Sequence, residues 1–338
     1  MAAIEFAWIP SEAEVDRHVY MGRAYQALLA THDGSEARLL KCTAHGQSTY
    51  LPMLVRDLGC GQKEAYSAYG YGGLLGELSL SDPDVESLRR YLSEESILAF
   101  FVRHSPFLAN QKQWPDSLVE LNRRTYATAL GTSDSFDAYL KGIPQKLRWS
   151  VNYARRAGLQ LAFRPLSECA PERIKAFYRL YAGLMQQKQT SGYYLFSEEF
   201  FLEHARSLGG HCELAEIVNP ENGSLVAGAF FLLDDSGWAH YHLSAATQSA
   251  MKLQGMELLM TSALQRYGNM GHRALHLGGG HALDESDGLS RFKAKFADRK
   301  LDFCCTKLVC NEAGYQSERA RLPLKHPNFF LISDARGY

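Results

Sequence analysis

The chain has 338 residues, room for two domains of ~150 residues each. Apolar residues make up 46% and charged residues 22%, which supports a large core and excludes wholesale disorder. With 36 lysines and arginines against 37 acids the net charge is -1, so there is no global basic signature for nucleic acid and only local patches remain.

In the first half, Ala37–Ala44, a His45-Gly46 turn and Ser48–Leu58 read as a β-hairpin. Glu64–Tyr69 reads as a further strand that runs into Tyr69-Gly70-Tyr71-Gly72-Gly73. Ser81-Asp82-Pro83-Asp84 has the capping residues, proline and acids of a helix start, and the helix is expected to continue to about Phe101. Ser117–Leu130 returns to strand composition. Between Ser133 and Gly158 the stripe Ile143, Leu147, Val151 and Ala154 marks one face of a helix that Gly158 stops. This segment has no acid between Lys141 and Arg156, and Arg148 and Arg155 share a second face. Charge alone favours a solvated surface there.

The second half alternates more cleanly. Pro171-Glu172 opens a helix, Ser197 caps another, and Gly209-Gly210 stops it. Cys212–Val218, Leu225–Leu233 and Trp238–Ala245, separated by turn sequences, form a three-stranded meander. A helical stripe from Met256 to Tyr267, a strand at Ala274–Leu277 and a closing strand at Lys300–Val309 follow. This order is similar to that of a GNAT-type acyltransferase unit, and the first half looks like a weaker copy. The expected fold is therefore α/β (α+β): two tandem GNAT-like domains, each a mixed, mostly antiparallel sheet flanked by helices. The expected bounds are 1–135, completed by 311–338, and 136–310, with the main site in the second domain.

Seven cysteines (Cys42, Cys60, Cys169, Cys212, Cys304, Cys305, Cys310) show neither a framework nor metal-ligand spacing. Free thiols in a reducing compartment, and no metal site, are the reading. The start MAAIEFAWIP lacks a basic n-region and a long apolar core, and no apolar run approaches the ~20 residues of a membrane span. A soluble, cytoplasmic chain without a transmembrane segment is expected.

Two segments stand out for chemistry. In His276-Leu277-Gly278-Gly279-Gly280 three glycines at a strand end let a ligand approach backbone amides that can hold an anion or an oxyanion. A glycine-rich turn is the plainer alternative. In Ser290-Arg291-Phe292-Lys293-Ala294-Lys295-Phe296 the phenylalanines share one helical face, and Lys293 points elsewhere, suited to neutralising developing charge. A surface lysine is the plainer alternative there. In Trp238-Ala239-His240-Tyr241-His242, alternation puts His240 and His242 on one face and Tyr241 on the other. His242 or His276 is a candidate general base. The stretch before the central helix, Gln248–Glu257, has one glycine and then Glu257 where a pyrophosphate loop wants small residues, which counts against acetyl-CoA.

Taken together, Tyr69–Gly73, Leu147-Arg148 through Arg155-Arg156-Ala157-Gly158, Phe177-Tyr178 with Tyr193-Tyr194-Leu195-Phe196, Tyr241-His242-Leu243-Ser244, His276–Gly280 and Arg291–Phe296 resemble the Fem-type family. That family comprises the peptidoglycan-bridge aminoacyltransferases and their GNAT-fold relatives. The motifs spread from about Ala37 to Phe296. The resemblance implies transfer of an amino acid from aminoacyl-tRNA to an amine of a small-molecule or nucleotide-linked acceptor, with no bound cofactor and acyl-CoA as the alternative donor. It implies that Lys293 lies at the donor–acceptor junction. Arg148 and Arg155 would contact phosphate or tRNA, reversing the charge-only reading, and Tyr69 and Tyr71 would line the acceptor cleft. Tyr241, Arg291 and the amides of Gly278, Gly279 and Gly280 complete the substrate-binding set. No coiled-coil arm is present, so the chain looks like the compact relatives of surface-polysaccharide or small-molecule biosynthesis. Two other readings stand beside it: an acyl-CoA-dependent N-acyltransferase acting on an amino sugar or similar amine, and a non-catalytic GNAT-fold binding protein.

Overall fold

The computed structural model describes residues 4–10, 12–59, 61–188, 195–280, 285–321 and 323–336. Cys60, Tyr193 and Tyr194, singled out above, lie outside these. The chain forms two compact units, residues 1–123 with 302–338, and residues 124–301.

The first unit holds strands β1 (Glu5–Ile9), β2 (Glu36–Ala44), β3 (Gln47–Gly59), β4 (Gln62–Tyr66), β6 (Ile97–Arg103) and most of β13 (Arg299–Val309), hydrogen-bonded in that order. β5 (Leu75–Gly76) pairs with β3. Helices α1 (Ala13–Asp16), α2 (Arg23–Asp33), α3 (Asp82–Glu94), α11 (Glu312–Arg321) and α12 (Ile332–Arg336) belong to the same unit. The β2–β3 turn takes positive φ at both His45 and Gly46, the backbone that joins antiparallel strands in two residues. Ser81 and Asp84 close a capping box on α3, with a proline in its first turn.

The helix does not run to Phe101. Ser96 at φ 63 ends it, and Ile97–Arg103 is a strand parallel to β4. Ile97, Leu98, Ala99 and Phe100 are all buried. A strand covered on both faces loses its period-two alternation and reads as a plain apolar run, like a buried helix.

The second unit repeats the plan. β7 (Val119–Ala129) leads into it, and the order β7, β12 (Ala274–Gly279), β11 (Trp238–Ala246), β10 (Leu225–Leu233), β9 (Cys212–Val218), β8 (Gln160–Pro165) follows. Among the described residues only β11–β12 is parallel there, as only β4–β6 is in the first unit's chain of strands. In both, a meander is followed by a helix and a parallel strand. The closing strands are exchanged along the sequence: β7 follows β6 but pairs with β12, and β13 follows β12 but pairs with β6. The fold is thus α/β, built from two GNAT-like units with mixed, mostly antiparallel sheets.

Helices α4 (Phe136–Gly142), α5 (Gln145–Arg156), α8 (Gln248–Lys252) and α9 (Gly255–Asn269) belong to the second unit, as do α6 (Pro171–Gln187), α7 (Glu198–Leu208) and α10 (Gly288–Ala294). The stretch from Ser133 to Gly158 is two helices rather than one, because Pro144 lacks the N–H that would continue the first. Its apolar stripe still faces inward: Leu147 joins the core of Phe231, Tyr241, Leu259, Tyr267 and Leu277, while Val151 and Ala154 pack with Leu140 and Leu258.

Candidate active site

The site is built where β11 and β12 part. Their paired register runs from Trp238–Ala274 to His240–His276 and ends there, although β11 continues to Ala246 and β12 to Gly279. On its other side β12 stays paired with β7, with a bulge between His276 and Gly278. Gly278 takes φ 72, a conformation that favours glycine and re-aims the strand end. Two parallel strands that separate beside a bulge leave backbone and side chains on an opening rather than in a ladder.

Helix α10 delivers Lys293 to that opening. Asp287 caps the helix: its Oδ1 accepts from the amides of Leu289 and Ser290, and its Oδ2 accepts from Ser290 Oγ at 2.6 Å. Phe292 and Phe296 pack on each other and on the core, which fixes the helix's roll. Lys293 is then only 6% exposed. Its Nζ donates to Gly279 O at 2.7 Å and lies 5.8 Å from the centre of the Tyr241 ring. Tyr241 donates to Ser244 Oγ at 2.6 Å, and burial pushes its phenol up to about 12, so it stays neutral.

Gly280 has a different role from the one expected of a flexible loop. A β-carbon there would stand 1.8 Å from Ser290 Oγ and 2.5 Å from Asp287 Oδ2. It is glycine because the cap of α10 packs directly on it. Tyr126, on β7 opposite Gly278, donates to Glu285 Oε2 at 3.0 Å, and Lys300 bonds the same carboxylate.

The two candidate bases are placed differently. His276 Nε2 lies 2.9 Å from Thr125 Oγ1, and its ring meets that of His240 edge-on at 5.9 Å. Burial, then His240 and Lys293, hold it well below its usual value, so it is neutral at pH 7. His242 is also held down by burial, but strand alternation turns it away from Tyr241 and its ring sits 5.6 Å from that of His204 on α7.

A folded-state value below that of the unfolded chain means that stability is complete above pH ~6.5 and declines as pH falls below it, because the unfolded chain then binds more protons. Each such histidine contributes about 1.4 kcal/mol per pH unit to that decline. Glu64 and Asp334, whose carboxyls burial pushes up, act in the opposite sense. The expected result is therefore a difference: between pH 6.5 and 5, His276→Gln loses stability less steeply than the parent by about that slope. Equal slopes in paired denaturant titrations would rule the buried neutral imidazole out.

The other expected residues are scattered. Arg291 is exposed on α10 and donates to Ser286 O. On α5, Arg155 pairs with Asp137 at 2.8 Å and Arg148 Nη1 reaches Lys141 O at 3.4 Å. Tyr69 and Tyr71 belong to the first unit. Tyr25 donates to Tyr69 O at 2.9 Å, and the Tyr71 ring is packed edge-on by Tyr20, Phe107 and Phe303. Asn110 ties the loop by donating to Gly72 O and Leu74 O. So the second unit brings together Lys293, Tyr241, His276 and the glycine run, whereas within the same unit His242 is buried toward α7 and Arg155 and Arg291 are exposed on their helices.

Sequence reasoning noted Glu257 but missed its partner. It sits in the first turn of α9, nearly buried, with Lys295 Nζ 2.7 Å from Oε1. The signal available was the pair of lysines at Lys293 and Lys295, two apart and so pointing different ways. The stacked Trp149 and Tyr153 on α5 were also missed, although their spacing of four places them on one face. Among the described residues no cluster of histidine, cysteine, aspartate and glutamate could hold a metal, and the described cysteines are free thiols. No helix of the described residues is long and apolar enough to cross a membrane.

Residues 145–294 match the family described as an acetyltransferase (GNAT) domain. Among solved structures, FemX is similar with a TM-score of 0.66 at 12% identity, covering 92% of this chain and 99% of its own. The C-terminal domain of a putative lysylphosphatidylglycerol synthetase from Agrobacterium fabrum is similar with a TM-score of 0.56 at 17% identity, covering 89% and 92%. L-PGS from Bacillus licheniformis has a TM-score of 0.53 at 13% identity, covering 83% and 86%. At such identities the likeness is one of fold. No curated protein matches the chain in sequence.

Proposed function

We propose that this acyltransferase moves an aminoacyl group from aminoacyl-tRNA to an amine acceptor of cell-wall, surface-polysaccharide or small-molecule biosynthesis. The observation that carries the donor choice is the Glu257–Lys295 pair in the first turn of α9. A helix start attracts phosphate through its bare amides and positive dipole end. A nearly buried carboxylate there, paired with Lys295, occupies the helix start where a CoA pyrophosphate would lie and leaves Lys295 engaged, so the site offers that anion no net positive charge.

In the proposed reaction the acceptor amine attacks the ester carbonyl carbon, and the tetrahedral oxyanion forms beside Lys293. An ammonium has three N–H donors, and the bond from Lys293 to Gly279 O orients it at the strand end. Stabilising an oxyanion from a fixed, water-poor position costs no reorganisation during the reaction. The C–O bond to the ribose then breaks, and the proton released by the amine ends on the departing hydroxyl. His276, neutral and beside the opening, is the candidate carrier of that proton.

The second reading, an acyl-CoA-dependent N-acyltransferase, is favoured by the GNAT domain match itself. One experiment separates them. The protein is incubated with a charged tRNA pool and, separately, with acetyl-CoA, each with and without RNase, and donor loss is followed. Amine-dependent loss of the aminoacyl ester that RNase abolishes is expected. Thioester consumption that survives RNase, with no loss of charged tRNA, would overturn the donor assignment in favour of the second reading.

A further inference from the structure

Helix α5 presents an outward face that the folding of its unit does not explain. Its inner side is used up: Leu147, Ser150, Val151 and Ala154 are buried. Opposite them Trp149 is 57% exposed, the highest value among the exposed large apolar residues described, and Tyr153 is 38% exposed. Their rings stack at 5.4 Å with planes 13° apart. A tryptophan left in water on a rigid helix, beside a second ring, is an adhesive surface rather than a random exposed side chain.

Charge surrounds the pair. Lys146 lies one turn before Trp149 and Arg156 one turn after Tyr153, so all four share a stripe ~15 Å long at 1.5 Å per residue. No acid occurs from Ala138 to Ser167, whereas Lys141, Lys146, Arg148, Arg155, Arg156 and Arg164 do. Among the described residues Arg155 is neutralised by Asp137, but no acidic partner stands within ion-pair distance of Lys146 or Arg156. The stripe reads cation, ring, ring, cation. That pattern recognises a flexible polyanion with flat π faces, which is what an unpaired nucleic-acid end offers. A membrane surface is the poorer fit, because an interfacial helix needs aliphatic residues beside its aromatics. The remaining outward positions here are Gln145, Arg148, Asn152 and Arg155.

We infer that the Lys146–Trp149–Tyr153–Arg156 face docks the single-stranded 3′ end of the donor RNA, a base stacking on the ring pair and its phosphates meeting Lys146 and Arg156. The inference rests on the donor reading above and adds four contact residues to it.

The full chain is titrated with deacylated tRNA, with a short single-stranded RNA ending in CCA, and with phosphatidylglycerol vesicles, and tryptophan fluorescence is read. Trp114 and Trp238 are 3% and 7% exposed and Trp8 is half-buried, so Trp149 dominates the response to an external ligand. Saturable quenching of the parent by both RNAs is expected, and affinity for end-labelled RNA, read by the anisotropy of the label because the ring variant lacks Trp149, should fall on the order of tenfold to a hundredfold in Trp149→Ala/Tyr153→Ala. Lys146→Gln/Arg156→Gln should lower the slope of log affinity against log salt by about 1.4 for a single strand. Both double variants alter exposed positions, and unchanged melting temperatures confirm the fold. RNA affinity unaltered by the ring variant, or quenching by vesicles alone, overturns the inference. The two failures separate in the transfer assay. Charged tRNA consumed with an unchanged KM in the ring variant removes the docking face and leaves the donor reading standing, whereas RNase-resistant use of acetyl-CoA removes both.

Discussion

Replacing Lys293 by alanine is expected to lower the single-turnover transfer rate by about 10²–10³-fold, the usual cost of removing one preorganised oxyanion donor. The same variant should keep a melting temperature within a few degrees of the parent. The two effects differ because of what the ammonium does when no substrate is present. It donates to Gly279 O, and Gly279 is only half-buried, so water can take over that carbonyl when the side chain is cut back. A net hydrogen bond of this kind contributes about 1–3 kcal/mol at most. The catalytic loss is of a different order, because no mobile water reproduces a fixed positive charge at the point where the oxyanion forms. Lys293→Met keeps the stem against Tyr241 and removes only the charge, so it should lose rate equally with even less effect on melting. Donor binding, measured by quenching, should be unchanged in both. A Lys293→Met enzyme with near-parental rate would remove Lys293 from the chemistry and leave it as a strut for β12.

The meander, the central helix and the capping sequences were readable because each carries its own local signal. Leu225–Leu233 is a short β-rich run between turn residues, and Ser81–Asp84 closes a capping box by side-chain chemistry alone. β6 was not readable, since Ile97–Phe100 has no exposed face to alternate with a buried one. The partnership of β7 with β12, and of β13 with β6, was not readable: the expected bounds of 1–135 and 136–310 left each strand with its neighbours in sequence. Pairing across more than a hundred residues leaves no periodicity in either strand. At the site, Lys293 and the glycine run could be picked out by residue type and proximity in sequence. What makes them a unit is the parting of β11 from β12 after His240, a property of register that residue identities do not encode. His242 illustrates the limit: alternation correctly put it on the face opposite Tyr241, but only the packing of α7 shows that this face meets His204.

Gly280→Ala is the second large effect, and it separates two explanations of the glycine run. If the run were simply a turn, one methyl group at its end would matter little. The geometry says otherwise, since the new carbon would stand 1.8 Å from Ser290 Oγ, 3.0 Å from Ser290 Cβ and 2.5 Å from Asp287 Oδ2. Ser290 Oγ can rotate away only by giving up its bond to Asp287, and Asp287 Oδ1 is the cap of α10. Overpacking of this kind costs about 1–3 kcal/mol, and a disturbed N-cap adds about 1 kcal/mol. The first turn of α10 must therefore move, carrying Lys293 off its position on Gly279. A shift of about 1 Å in a positioning element can cost 10²-fold in rate, so the transfer rate should fall together with the melting temperature. Gly131 supplies the control: a β-carbon there meets nothing within 4 Å, and Gly131→Ala should melt and react like the parent. Adding Ser290→Gly to Gly280→Ala removes the two closest obstructions from that residue and should recover part of both losses. A Gly280→Ala protein indistinguishable from Gly131→Ala would return the run to the status of a turn and detach α10's cap from the placement of the lysine.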